Sequence, residues 1–209
     1  MPKANLYLDM IDFSSYFSDH ECKKCGAQSC KDLVDKLGRG DWRPADLELQ
    51  RDKIKAIELA MNSGGVLPEV PQLQLPRPVP AGLLELNDPQ PGDPVLVTGN
   101  SEFTQLVLTA VLSTTLSPFF VLFCDTRGDT LDMAIILKSF TPERIKESIE
   151  RENLSKKAKT SSLILPGLAA KLKDDIKLAT NWPVELGPVC AAELPLFFND
   201  RWLPPEDCV

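Results

Sequence analysis

Cys22, Cys25 and Cys30 form a C-x2-C-x4-C run inside HECKKCGAQSC at 20–30, with His20 two residues before the first thiol. The short first gap lets two thiolates of one loop face a common centre, and Gly26 turns the backbone without a Cβ clash. Lys23, Lys24, Gln28 and Lys31 surround the thiols, poor company for core cysteines. Three soft ligands at this spacing suit an iron–sulfur cluster or zinc. Buried, inert thiols are the plainer alternative. His20 is a candidate fourth ligand for a Cys3His zinc site, set against an ordinary surface histidine.

No other acid–base or nucleophilic apparatus accompanies them. His20 is the chain's single histidine, which rules out a His-based triad, and neither a P-loop, an H-E-x-x-H nor a G-x-S-x-G occurs. Cys124 falls inside an apolar run and reads as core, Cys208 as tail, and GPVCAAE leaves Cys190 open. Charge in KESIERENLSKK marks a solvated helix face.

Two kinds of element must position these residues. After the thiols, Cys30, Leu33, Val34 and Leu37 recur at helical spacing, closed by Gly38 and Gly40. Pro44 opens a second helix over roughly 45–62, with Leu47, Ile54, Ile57 and Met61 as its apolar stripe. Residues 1–65 therefore read as a small helical module, helped by a metal because its own core is small. Eight prolines fall in the 27 residues from Pro68 to Pro94. That density excludes a helix or a central strand and predicts an extended connector over 66–94.

Over 95–209 the pattern changes. Short apolar strands are expected at 95–98, 119–124, 162–165 and 184–186. They alternate with helices over 102–116, 142–154, 168–180 and 191–198, which predicts an α/β fold with a doubly wound, mostly parallel sheet. Such sheets bind ligands beyond the carboxyl ends of their strands. That rule selects Thr98, Gly99 and Asn100; Asp125, Thr126, Gly128 and Thr130; Pro166 and Gly167; and Gly187 and Pro188. Thr98, Asp125 and Thr126 could hold a cofactor side chain or phosphate, or could equally cap turns and helix starts.

These residues carry a family resemblance. CKKCGAQSC at 22–30, VLVTGN at 95–100, LFCDTRG at 122–128, LILPG at 163–167 and ELGPVCAAELPLFF at 185–198 together resemble the large subunit of the corrinoid iron–sulfur protein. The archaeal counterpart is the gamma subunit of the acetyl-CoA decarbonylase/synthase complex. The likeness covers roughly the first 60 and last 115 residues. It implies a four-iron four-sulfur cluster on Cys22, Cys25 and Cys30, with a fourth ligand unassigned. It further implies a corrinoid at the strand ends and a carrier or electron-transfer role in methyl transfer, within a methyltransferase system and beside a protein partner. Leu47 stands near the place of the family's fourth cysteine, leaving Asp46, His20, a distant cysteine or a partner to complete the set. Thr130, Asp132, Met133, Ile136 and Leu137 replace the family's cap residues, and LILPG runs into LAAKLKDD without the glycine-rich turn. The barrel domain is absent, so a partner subunit would have to supply the lid. Two other classes stay open: a regulatory or interaction protein that keeps the fold without corrinoid, and a zinc-stabilised adaptor.

Composition bounds the remaining choices. A net charge of −7 offers no basic field for nucleic acid. A hydrophobic content of 43% supports a packed core, and no apolar run reaches membrane-spanning length. The N-terminus lacks a signal-peptide pattern and the cysteines no secreted framework, so a reducing cytoplasm is expected.

Overall fold

The computed structural model describes residues 7–69 and 76–205. Helices α1 (Asp19–Lys24), α2 (Cys30–Gly38), α3 (Arg51–Met61) and the single turn α4 (Ser63–Val66) build the N-terminal part. Thereafter come β1 (Gly82–Leu86), β2 (Val95–Gly99), α5 (Glu102–Leu112), β3 (Phe119–Cys124), α6 (Leu131–Ile136) and α7 (Pro142–Arg151). The chain ends with α8 (Leu154–Lys157), β4 (Leu163–Leu165), α9 (Lys173–Thr180), β5 (Val184–Leu186) and α10 (Leu194–Phe198).

The five strands form one sheet in the order β1-β3-β2-β4-β5. Pairing is parallel throughout except for β1, which runs antiparallel along β3. The chain leaves β2 for β3 on one side, then returns across β2 to lay β4 on the other. Beyond the carboxyl ends of β2 and β4, the order reverses and a crevice must open.

Alternation along β3 shows why two helical layers are needed. Phe119, Val121 and Phe123 face one apolar layer with Leu108, Val111 and Leu112 of α5 and Leu194 and Phe198 of α10. Phe120, Leu122 and Cys124 face the other, with Ala134, Ile145, Ile149 and Ile176 of α6, α7 and α9. Every residue of β3 is buried, so the strand reads as a continuous apolar run with no polar face. Burying each Phe here contributes about 1.5–3 kcal/mol.

The α/β architecture predicted from the sequence is present, and the strands at 119–124 and 184–186 fall where they are expected. Several elements differ. The second helix expected over 45–62 starts only at Arg51, because Pro44 opens a 3-10 turn that ends at Asp46 and Leu47 is extended. The helix expected over 168–180 begins as 3-10 turns and is α-helical only from Lys173, and α6 has no expected counterpart. The proline-rich stretch is not connector throughout, because Gly82–Leu86 is an edge strand. The prolines pause between Pro80 and Pro89, leaving AGLLELND with every N–H available for pairing. The helix expected over 102–116 stops at Leu112. There the Ser113 and Thr114 hydroxyls donate to the carbonyls of Ala110 and Val111, competing with further helix.

The N-terminal helices share a core with the far end of the chain. Leu33, Leu37, Leu47, Ile57 and Ala60 pack in one apolar cluster with Cys190, Ala192 and Leu196. The Tyr16 hydroxyl donates to Glu193 Oε1 at 2.7 Å. Burial, then the Glu193 hydrogen bond and charge, raise the Tyr16 phenol above its usual range. Leu47, 7% exposed, is a core residue as expected, though it packs from the extended segment before α3 and not from a helical stripe. Among the described residues no helix is long and apolar enough to cross a membrane.

Candidate functional site

A cavity of about 200 Å³ opens where the topology predicts it. Leu96, Val97 and Thr98 of β2, Ile164 and Leu165 of β4, and Gly187–Val189 after β5 line it, with Phe103 and Val107 of α5 closing one side. Of the residues selected from the sequence, Thr98, Thr130, Pro166, Gly187 and Pro188 reach this cavity. Its wall is predominantly aliphatic and aromatic. An apolar cavity of about 150 Å³ admits benzene, so the volume here is of the order that a ring of that kind fills.

Polar groups gather at the rim. The Thr130 hydroxyl donates to Asp132 Oδ1 at 2.6 Å. Tyr7 also lines the cavity. Burial raises its phenol, and the charge and hydrogen bond of Asp132 add to the rise. Beside this rim, α6 leaves Met133, Ile136 and Leu137 at 42%, 70% and 57% exposure, an uncovered apolar shoulder. Cys190 borders the cavity from the module side, and burial pushes its thiol up.

The other selected residues do structural work. Asn100, 3% exposed, accepts through Oδ1 from Thr126 N–H at 2.8 Å and Gly128 N–H at 3.3 Å. Its Nδ2 donates to the Val79 carbonyl at 2.7 Å. The Asn100 N–H donates to Thr126 Oγ1 at 3.2 Å. One amide side chain thus ties the ends of β2 and β3 to the chain entering β1. Gly128, at φ +82°, lies against Arg77 and Pro78 so closely that a Cβ would overlap their backbone. Gly99 and Gly167 are also closely packed, though less so, a Cβ on either coming 2.8 Å from Thr126 Oγ1 or Val189 Cγ2. Asp125 Oδ1 accepts from the Arg127 N–H at 2.9 Å in an Asx turn. Asp125 and Thr126 thus make turn and strand-end hydrogen bonds within the chain.

The N-terminal thiols are positioned by a capped reversal. Ser18 and Glu21 form a capping box at the start of α1. Gly26, at φ +79°, ends it: its N–H donates to Lys23 O, and the Ala27 N–H to Cys22 O. This double bond pattern is a Schellman closure. Ser29 then caps α2 by accepting from the Asp32 N–H. The reversal places Cys22 and Cys30 with Cα atoms 5.3 Å apart and joins them as a disulfide. Cys25 is a half-buried thiol of the same cluster. His20 is exposed, and Asp46 is engaged by Arg43 at 2.9 and 3.0 Å. No group of three His, Cys, Asp or Glu side chains among the described residues is arranged to hold a metal ion. In this form two of the three candidate donors are spent on each other, and Cys25 alone of the three stays a thiol. Cys124 is buried in β3 as expected, and Cys208 lies outside the described residues.

Several cavity residues were not legible beforehand. Phe103, Val107, Leu168 and Val189 carry no distinctive chemistry. The available signal was the i, i+4 spacing of Phe103 and Val107 on α5, which only the sheet order turns into a wall.

Fold and site together define a doubly wound α/β unit with an apolar ligand cavity at its topological switch point. Residues 69–198 match the family described as CO dehydrogenase/acetyl-CoA synthase delta subunit, and the chain belongs to it. It is also similar to the acetyl-CoA decarbonylase/synthase complex subunit gamma of Methanopyrus kandleri, 34% identical over 128 residues. The same subunit of Archaeoglobus fulgidus is 31% identical over 131 residues. These matches cover 61% and 63% of this chain but 28% of each relative. The matched region thus spans under a third of the curated relatives' length.

Proposed function

We propose that the chain is a corrinoid-associated subunit of a methyl-transferring assembly, serving as carrier or electron-delivery component and not as an enzyme by itself. The apolar cavity at the switch point carries this reading. At about 200 Å³ it lies below the 300–1,000 Å³ of pockets that enclose a whole ligand, so it suits an aromatic appendage and not a macrocycle. Thr98, Pro166, Gly187 and Pro188 would hold that appendage dry, and Thr130 with Asp132 would meet polar atoms at the rim. The exposed apolar shoulder of α6 would support the larger part outside. A bound corrinoid would supply cobalt as the carrier of the methyl group. The chain's own residues contribute binding, orientation and exclusion of water. Cluster ligation by Cys22, Cys25 and Cys30 would need all three as thiolates.

The relatives are subunits of a complex by name, which supports a protein partner over the α6 shoulder. We also retain 1–65 and 95–209 as functional parts, with β1 inside the 66–94 stretch belonging to the second. A second reading has an observation of its own. Tyr7 already occupies the cavity wall and the Asn100–Thr126 lock is saturated within the chain, as expected of an interaction protein that kept the fold without its cofactor. Gel filtration with cobalamin and with cobinamide, which lacks the aromatic base, separates the two. Co-elution of cobalamin but not cobinamide is the expected result. Free elution of both would reject corrinoid binding and leave the interaction protein.

A further inference from the structure

We propose that Cys22 and Cys30 are a reversible dithiol–disulfide couple that exchanges with low-molecular-weight thiols. The inference is independent of what the strand-end cavity binds. Three observations carry it. The first is the bond itself, across a Cα separation of 5.3 Å, inside the range that disulfides span without backbone movement. The Gly26 reversal and the Ser29 cap set that separation through backbone hydrogen bonds, so it persists when the sulfurs are reduced. The second is asymmetry: Cys22 is 1% exposed while Cys30 is half-buried at the start of α2, which makes Cys30 the sulfur open to attack. The third is that the reduced state has partners waiting. Cys30 Sγ lies 3.6 Å from the Phe17 carbonyl and 3.9 Å from Asp19 Oδ1, and Cys22 is housed in the apolar cluster, where a thiol is tolerated.

In the forward step an external thiolate attacks Cys30 Sγ. The Sγ–Sγ bond breaks and Cys22 leaves as a thiolate that takes up a proton. A second external thiolate then attacks the small-molecule sulfur of the mixed disulfide on Cys30, and Cys30 leaves as a thiolate that takes up the second proton. The products are two protein thiols and one small-molecule disulfide, balancing two electrons and two protons. In the oxidised form α1 is fastened to α2 and Cys25 alone stays a thiol among the three. A metal that needs Cys22 and Cys30 as thiolates is excluded while they are bonded to each other.

The test equilibrates the full chain in glutathione buffers of varied ratio, followed by acid quench, alkylation and peptide mapping. The expected result is a Cys22–Cys30 bond that falls from about nine-tenths to about one-tenth occupancy. That fall should take an about 80-fold rise in the squared-thiol-to-disulfide quotient, as mass action requires of a two-electron couple. Cys25→Ser should keep the bond and Cys30→Ser should abolish it; the wild-type map stands alone if either variant fails to fold. Three results would overturn the proposal: all three sulfurs alkylated at every ratio, Cys22 bonded to Cys25, or anaerobically purified chain holding iron and sulfide that glutathione disulfide cannot displace.

Discussion

Replacing Asn100 by leucine removes the lock between β2, β3 and the chain entering β1 while keeping much of the side-chain volume. Thr126 N–H loses its acceptor at 2.8 Å and the Val79 carbonyl its donor at 2.7 Å. Thr126 is fully buried, so water cannot replace that partner. Each buried group left unmade costs about 1–3 kcal/mol, giving about 4 kcal/mol for the pair. A chain of this size loses about 2–4 °C of Tm per kcal/mol, so scanning calorimetry should show a fall of about 8–16 °C. Asn100→Asp keeps both acceptor bonds and loses only the donor, so it should fall by about half as much near neutral pH. Part of that should return in acid, when the protonated carboxyl can again donate to Val79. If Asn100→Leu melts within about 2 °C of the parent, the lock is not structural. Asn100 would then be returned to the ligand-contacting role its position at a strand end first suggested.

Other expectations are narrower. Gly128→Ala combines a left-handed φ with an overlap on Pro78, and should cost about 2–4 kcal/mol by chemical denaturation. Burial works upward on Glu21, but hydrogen bonds from Lys53 and Ser18 and the lysine charge outweigh it and hold the carboxyl down at about 2. Its folded value lies below its unfolded one, so its contribution is whole above about pH 4.5 and vanishes as pH falls toward 2. Glu21→Gln should flatten that acid limb in pH-resolved melting. Burial pushes the Cys124 thiol up to about 12, so it should resist maleimide in the native chain at pH 8 and react on unfolding. Filling the cavity with Ala191→Trp should abolish cobalamin retention while leaving the circular dichroism spectrum unchanged.

Much of the fold was legible because its central strands β2, β3 and β4 are buried on both faces. FFVLFC admits no polar alternation, so its strand at 119–124 stands out from composition alone. Position relative to the switch point was legible too: Thr98, Thr130, Pro166, Gly187 and Pro188, selected by that rule, line the cavity. Asn100, Thr126 and Gly128, selected by the same rule, lie in a hydrogen-bonded strand-end closure, because closing a strand end and binding a ligand ask for the same small polar residues. β1 escaped notice since five residues between prolines carry too weak a period. The thiol spacing fits two chemistries equally, because a reversal that gathers three sulfurs for a metal also brings two within bonding distance.

The joint core of Leu33, Ile57, Cys190 and Leu196 bears on how the protein meets others. A front end anchored through α3 to α10 and through Tyr16 to Glu193 is bolted in place, not hung on a tether. It cannot sweep toward a distant donor as a swinging arm would. A partner that meets this front end has to dock against a stationary surface.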